Sequence, residues 1–220
     1  MLVLLLFISL LSISLSLRVM LSSVSPPLPQ KVINKKKISI IGAGSWGTAI
    51  ASKLGRKLQA AKDERNEFSY AYDDKVSLWV FNEMLSGNVI FNKWIEVTSD
   101  STNVTSLVDI INDTHENVKY LKGIKLPSNI IATSDIIKAV EDADVLIFVV
   151  PHEFVGKTLA QMKGHCKDTC VVVSLTKGVH VSEQGPKLLS DVIAKELGIK
   201  STAVLMGGII SKFQISNFRI

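Results

Sequence analysis

Continuous apolar runs with helix-forming stretches between them are the feature that most constrains the fold of this 220-residue chain. In chain order the runs are KISIIGAG, KVSLWVF, NIIAT, DVLIFVV, CVVVSL and TAVLM. Strands that are buried on both faces are continuously apolar, and helices between them imply right-handed crossovers. The sequence therefore predicts an α/β fold with a doubly wound parallel sheet, a Rossmann-like dinucleotide-binding domain.

Helical patterns occupy residues 45–59, 134–141, 153–162 and 186–197. In the first of these, Ala49, Ile50, Leu54 and Leu58 recur at helical spacing. The charged segment 60–74 is interpreted as a surface excursion. Residues 88–104 have no clean period and are interpreted as an insertion or flexible loop.

The composition limits the size of the core and the kinds of ligand that the chain is expected to bind. A chain that is 47% hydrophobic with a net charge of +5 can bury one α/β core. Its lysines are spread out, and the run Lys35, Lys36 and Lys37 is interpreted as a solvated lead-in to a strand, so no nucleic-acid partner is predicted. The two cysteines, Cys166 and Cys170, are four residues apart, a spacing that places both on one face if the segment is helical. We interpret them as reduced structural thiols, and no metal site is predicted.

Residues 1–36 are treated as an apolar leader and linker. The run MLVLLLFISLLSISLSL fits the core of a signal peptide in length, but it lacks preceding positive charges and a clear cleavage site. Two interpretations stay open: a secretory or anchoring signal, and upstream sequence that is not part of the working protein.

Three glycines follow the first apolar run with the spacing G-x-G-x-x-G. Gly42 allows a sharp turn after the strand, Gly44 leaves room for a pyrophosphate, and Gly47 lets the helix pack closely on the sheet. The helix that follows directs its free amides and the positive end of its dipole at the phosphates. The turn predicts dinucleotide binding.

The second strand ends without the acidic residue that usually binds the adenosine ribose. It reads Phe81, Asn82, Glu83, so Glu83 is a candidate from a position further on. Phe81 either packs on the adenine or is a core aromatic. No arginine follows to receive a 2'-phosphate, which favours NAD over NADP.

Longer strings resemble one enzyme family. They are GAGSWGTAIA, VSLWVFNE, THENVKYLKGIKLPSNI, DADVLIFVVPHEFVGK, SLTKGV and LGIKSTAVLMG. Their order and approximate spacing are similar to those of NAD-dependent glycerol-3-phosphate dehydrogenases of the eukaryotic cytosolic type. The similarity runs from about residue 37 to 207, interrupted at about 88–104, and we take 37–207 as the NAD-binding domain.

The resemblance implies roles for individual residues. Gly42, Gly44, Ser45, Trp46 and Gly47 would cradle the pyrophosphate of NAD, and Phe81 and Phe154 would contact the nucleotide. Lys177 would lie in the active site and also bind the cofactor. A lysine just beyond a buried strand can stabilise negative charge on a substrate oxygen, whereas its alternative is a surface lysine in a loop. His152 is interpreted as a polar residue lining the cofactor edge.

The resemblance ends near Gly207, where the family continues with an asparagine and a helical substrate domain. Here Ile209 stands in place of that asparagine, and residues 208–220 form a tail outside the family pattern. The resemblance therefore implies that the C-terminal helical substrate domain and the main general acid are missing. Because general acids contribute about 10²- to 10⁴-fold, we expect this chain to turn over weakly or not at all.

The full-length enzyme would interconvert sn-glycerol 3-phosphate and dihydroxyacetone phosphate by hydride transfer, with homodimerisation as a further hypothesis. The alternative is a non-catalytic NAD-binding module or shortened isoform. The resemblance implies a cytoplasmic location, and a functional leader would instead imply a secretory or membrane-associated one.

Overall fold

A computed structural model of the protein describes residues 34–86, 104–176, 179–182, 185–205 and 214–215. Its strands are β1 (Lys36–Ile41), β2 (Tyr72–Trp79), β3 (Met84–Ser86), β4 (Val104–Ser106), β5 (Ile130–Thr133), β6 (Val145–Phe148), β7 (Val171–Ser174), β8 (Val179–Ser182), β9 (Gly185–Leu188), β10 (Ser201–Val204) and β11 (Gln214–Ile215). Its helices are α1 (Ser45–Glu64), α2 (Glu67–Ala71), α3 (Leu107–Thr114), α4 (Ile136–Val140), α5 (Val155–Met162) and α6 (Leu189–Leu197).

The central sheet has seven strands in the order β11-β10-β7-β6-β1-β2-β5. The six strands from β10 to β5 are parallel, and β11 pairs antiparallel with β10. When these six strands are numbered 1 to 6 in chain order, their order across the sheet, read from β5 to β10, is 3-2-1-4-5-6. This is the order of a doubly wound dinucleotide-binding fold. The predicted fold class is confirmed.

Helices cover both faces of the sheet. On one face, α1 and α3 bury side chains such as Leu58 and Leu107 against Ile40 and Leu78. On the other, α4, α5 and α6 bury apolar side chains against Leu146 and Phe148. The chain changes face between β1 and β6, and doubly wound folds bind their ligands at such a switch point, at the carboxyl edge of the sheet.

The segment 60–74 lies at the surface as predicted, but it is mostly regular. Helix α1 continues to Glu64 and ends at Arg65, whose φ is +51°. The prediction that this helix ends at residue 59 was wrong because Leu58 and Ala61 continue its buried stripe. Helix α2 follows, and β2 already begins at Tyr72.

The buried face of α1 also differs from the predicted one. Its fully buried members include Ala51, Ser52 and Gly55, whereas Ile50 and Leu54 are only partly buried. The pattern of large apolar residues does not indicate this stripe, because small side chains line the contact with the sheet.

One further prediction needs correction. The segment expected to be helical from 186 begins as strand β9, which pairs with β8, and α6 starts at Leu189. The condition under which Cys166 and Cys170 would share a helix face is not met, because both lie in the connection between α5 and β7. Both are free thiols, and burial raises the pKa of Cys166 to about 11 and that of Cys170 to about 12.

Several predictions fall outside the residues that are described. These are the leader, most of the proposed insertion and most of the segment 208–220, so the domain boundaries remain predictions. None of the helices in the described ranges combines the length and the apolar character that crossing a bilayer requires.

Candidate functional site: the carboxyl edge of the sheet

The glycine turn between β1 and α1 accepts no side chain at two of its three glycines. Gly42 has a φ of +112°, and a Cβ placed there would lie 2.4 Å from the carbonyl oxygen of Val149. A Cβ on Gly47 would lie 1.9 Å from the carbonyl oxygen of Gly42. Gly47 was predicted to allow close packing of helix on sheet, but its tightest constraint is inside the turn itself.

Gly44 is different, because a Cβ there would meet nothing within 4 Å. It is the residue that caps the amino end of α1, and its carbonyl accepts the first helical hydrogen bond from Thr48 N at 2.9 Å. The amides of the first helical turn have no partners within the helix and carry the positive end of its dipole. An anion therefore fits in the open space beside Gly44.

Three large aromatic side chains are exposed just beyond the carboxyl ends of parallel strands. The exposed fractions are 73% for Trp46, 66% for Phe81 and 52% for Phe154. Phe81 stands edge-on to Trp79, with ring centroids 6.5 Å apart, and is no core aromatic. Of its two interpretations, the core role is excluded, and contact with the nucleotide stays a prediction. Exposed aromatic faces at the edge where ligands bind in doubly wound folds fit a planar ligand.

A loop of residues 115–126, called here the 115–126 loop, borders the glycine turn. The hydroxyl of Ser45 donates to the carbonyl oxygen of Tyr120 at 2.9 Å. Asn117, which is fully buried, donates from Nδ2 to the carbonyl oxygen of Ala43 at 2.8 Å and to Thr48 Oγ1 at 2.9 Å. The THENVKYL string that carries Asn117 stands out in the sequence, but nothing in it indicates these contacts.

Glu83 ties the same loop to the end of β2. Its Oε1 accepts from the Tyr120 hydroxyl at 2.7 Å, and its Oε2 pairs with the ammonium of Lys119. The hydrogen bond that Lys119 donates to Glu83 raises the pKa of Lys119. Burial, followed by the hydrogen bond with Glu83, raises the pKa of Tyr120. Both carboxylate oxygens already have protein partners, which favours a structural role over ribose binding.

The connections after β6 and β7 are joined at the same edge. Thr176 Oγ1 donates to the carbonyl oxygen of Val150 at 2.9 Å, and both groups are buried. His152 is exposed in the short 3-10 helix His152–Phe154 that follows. Lys177 comes directly after Thr176 but lies outside the described residues, so its role remains a prediction.

A doubly wound sheet with a glycine turn of this geometry defines a Rossmann-like dinucleotide-binding domain. A family model described as the N-terminus of NAD-dependent glycerol-3-phosphate dehydrogenase matches residues 37–212. The chain belongs to this family.

Relatives and solved structures agree with this assignment. The human cytoplasmic glycerol-3-phosphate dehydrogenase [NAD(+)] is 44% identical over 177 residues, which are 80% of this chain and 43% of that protein. A glycerol-3-phosphate dehydrogenase structure from Saccharomyces cerevisiae matches with 32% identity and a TM-score of 0.64, over 84% of this chain and 50% of that one. One from Plasmodium falciparum matches with 34% identity and a TM-score of 0.62, over 78% and 40%. The chain thus spans less than half the length of the human relative.

Proposed function

We propose that this chain forms the NAD-binding domain of an NAD-dependent glycerol-3-phosphate dehydrogenase. The full-length enzyme would be an oxidoreductase that interconverts sn-glycerol 3-phosphate and dihydroxyacetone phosphate. The observation that carries the proposal is the contrast within the glycine turn: Gly42 and Gly47 are closed by backbone atoms, while Gly44 faces open space at a helix amino terminus. Family membership supports the same cofactor.

The residues at the carboxyl edge fit a dinucleotide. Amides between Gly44 and Gly47 would hold the pyrophosphate, and Gly42 shapes the turn that presents them. Phe81 and Phe154 would contact the nucleotide through their exposed rings, with Trp46 beside the phosphates. Ser45 would contribute its backbone amide, because its hydroxyl is bonded to the 115–126 loop.

Hydride transfer is the chemistry that a bound nicotinamide supplies. For the protein's own part, we assign Lys177 as an active-site lysine that stabilises negative charge on the substrate oxygen. Its position directly after Thr176, at the end of a buried strand, supports this assignment. The Lys177→Met variant of a full-length enzyme should lose far more in turnover than in NADH affinity.

NAD is proposed over NADP, because no arginine follows β2 to receive a 2'-phosphate. A cytoplasmic location is proposed from the names of the mammalian relatives, which include that word. Homodimerisation also remains a proposal, and sedimentation of the purified chain tests it.

The test is a titration of the 220-residue chain with NADH, followed by nucleotide fluorescence. Gly44→Val places a branched side chain in the open space, so it should abolish binding while the fold persists. Ala60→Val is the control, since Ala60 is exposed on the same helix about 24 Å away. NADH binding that Gly44→Val leaves unchanged would overturn the proposed site, and absence of binding by the unaltered chain would overturn the proposed function.

A further inference from the structure

The 115–126 loop is closed on itself. Leu126 N donates to the carbonyl oxygen of His115 at 2.7 Å, which joins the two ends of the loop. Inside it, Glu116 Oε1 accepts from Gly123 N at 2.8 Å, and Glu116 Oε2 pairs with the ammonium of Lys125 at 3.2 Å. A loop with joined ends and its own internal contacts behaves as a compact unit. It can therefore act as a rigid support for whatever it touches.

The 115–126 loop contacts the glycine turn through Asn117, which binds the residue before Gly44. The Asn117 side chain is fully buried, and all of its polar atoms are used: Nδ2 donates twice, and Oδ1 accepts from Tyr120 N at 3.1 Å. The bond from Tyr120 fixes which way the amide group faces, because only the oxygen can accept it. The NH₂ group is thereby directed at the carbonyl oxygen of Ala43.

Thr48 completes the arrangement. Its hydroxyl donates to the same Ala43 carbonyl oxygen at 3.0 Å and accepts from Asn117. Two donors therefore converge on one backbone oxygen inside the protein. Such a carbonyl cannot rotate without leaving both donors, which are buried, without an acceptor.

The orientation of that carbonyl decides the orientation of the next amide. In a trans peptide, the C=O of one residue and the N–H of the following residue point in opposite directions. Because the Ala43 oxygen points inward to Asn117 and Thr48, the N–H of Gly44 points outward. The surroundings of Gly44 are also open, because a Cβ built there would meet no atom within 4 Å.

We propose that Asn117 is a positioning residue for the phosphate-binding turn, acting with Thr48 through the carbonyl oxygen of Ala43. It holds the Gly44 amide toward the nucleotide phosphates before any ligand arrives. This inference rests on the proposed NAD-binding function and adds to it a residue 74 positions further along the chain. Preorganised donors bind more tightly because they lose less freedom on binding.

Two substitutions remove the support in different ways. Thr48→Val keeps the shape of the side chain and removes its hydroxyl, whereas Thr48→Ser keeps the hydroxyl. Asn117→Asp turns an oxygen with negative charge toward the Ala43 oxygen and repels it. We expect Thr48→Val to weaken binding of NADH and of ADP about 2- to 10-fold, and Asn117→Asp about tenfold or more. Thr48→Ser should bind both ligands as the unaltered chain does.

Asn129→Asp is the matched control for loss of stability. Asn129 is also buried, and its Nδ2 also donates to two backbone oxygens, those of Gly55 at 3.0 Å and Asp74 at 2.6 Å. It lies at the amino edge of the sheet, where β5 begins, far from the glycine turn. We expect this variant to unfold at lower urea concentration and to keep its NADH affinity.

Urea unfolding of every variant gives the folded fraction, so that affinity is compared for folded protein alone. Unchanged affinity of folded Thr48→Val and Asn117→Asp would overturn the positioning role while the proposed function stands. Equal weakening in Asn129→Asp would overturn it too, because the effect would then follow stability. If the unaltered chain binds neither NADH nor ADP, the proposed function fails and this inference fails with it.

Discussion

The hydroxyl of Tyr120 donates to Glu83 Oε1 at 2.7 Å and joins two elements that are 37 residues apart. Glu83 follows β2, where doubly wound folds usually carry the ribose-binding acid, and Tyr120 belongs to the 115–126 loop. The carboxylate thus holds a loop in place. Because both oxygens of Glu83 have protein partners, this residue does not present a free carboxylate that could select the cofactor.

Removal of this hydroxyl should destabilise the fold. Tyr120→Phe leaves Glu83 Oε1 without its partly buried donor, and we expect the free energy of unfolding to fall by about 1 kcal/mol. Urea denaturation measures the change. Tyr70→Phe is the control, because Tyr70 is exposed and should give a value close to that of the unaltered chain. Equal stability of the two variants would contradict the structural role of the bond.

An added methyl group should lower the stability of the fold at Gly42 and leave it almost unchanged at Gly44. Gly42→Ala combines a φ of +112° with a contact of 2.4 Å to a backbone oxygen, so we expect a loss of at least about 2 kcal/mol. Gly44→Ala meets no atom and should change stability by less than about 0.5 kcal/mol. Thermal unfolding distinguishes the two. The account of the turn is wrong if Gly44→Ala is the less stable protein.

Trp46 should report ligand binding without contributing to the fold. Its side chain is largely exposed, whereas Trp79 is buried and donates from Nε1 to the carbonyl oxygen of Ser134 at 3.1 Å. We expect Trp46→Leu to keep the stability of the unaltered chain within about 0.5 kcal/mol and to lose most of the tryptophan quenching that NADH causes. Quenching that survives in this variant would place the nucleotide away from Trp46.

The two thiols should make stability fall at high pH. Burial raises the pKa of Cys166 from 9.0 to about 11 and that of Cys170 from 9.0 to about 12, so both remain protonated in the folded chain while they ionise in the unfolded one. Their contribution is complete below pH 9 and is lost as the pH rises through about 11 to 12. Urea denaturation from pH 8 to 10.5 should show a shallower decline for Cys170→Ala than for the unaltered chain.

An equal slope for the two proteins would mean that the buried thiol does not contribute to the pH dependence. A second measurement is independent of stability. Because only the thiolate is a nucleophile, iodoacetamide at pH 7.5 should label the folded chain far more slowly than the unfolded one. Mass spectrometry counts the labels.

The architecture could be predicted because each strand carries its own signal. Runs such as that of β6 are apolar throughout, and the glycine spacing after β1 specifies a turn whose backbone leaves no room for side chains at Gly42 and Gly47. The length of α1 could not be predicted in the same way. The exposed side chains of its last turns are charged, and the buried side of these turns is formed by the small residue Ala61. The pattern of large apolar residues therefore gives no signal for them.

The contact of Asn117 with the glycine turn could not be predicted from the sequence, for a different reason. Asn117 and Ala43 are 74 residues apart, and nothing in the local pattern of either one indicates their hydrogen bond. The string that contains Asn117 was singled out from resemblance, but its contact with the turn depends on where the fold brings the 115–126 loop. Lys177 was predicted from the same resemblance and stays a prediction.

The long reach of Asn117 has a consequence for the order of folding. The strand and helix on either side of the glycine turn are neighbours in sequence and can form early. The 115–126 loop is distant in sequence and can dock on the turn only after the elements between them, including β2, are in place. The phosphate-binding amide therefore acquires its final direction only after the surrounding secondary structure exists. In a refolding experiment, the capacity to bind nucleotide should appear later than the helical signal, with the delay set by the docking of this loop.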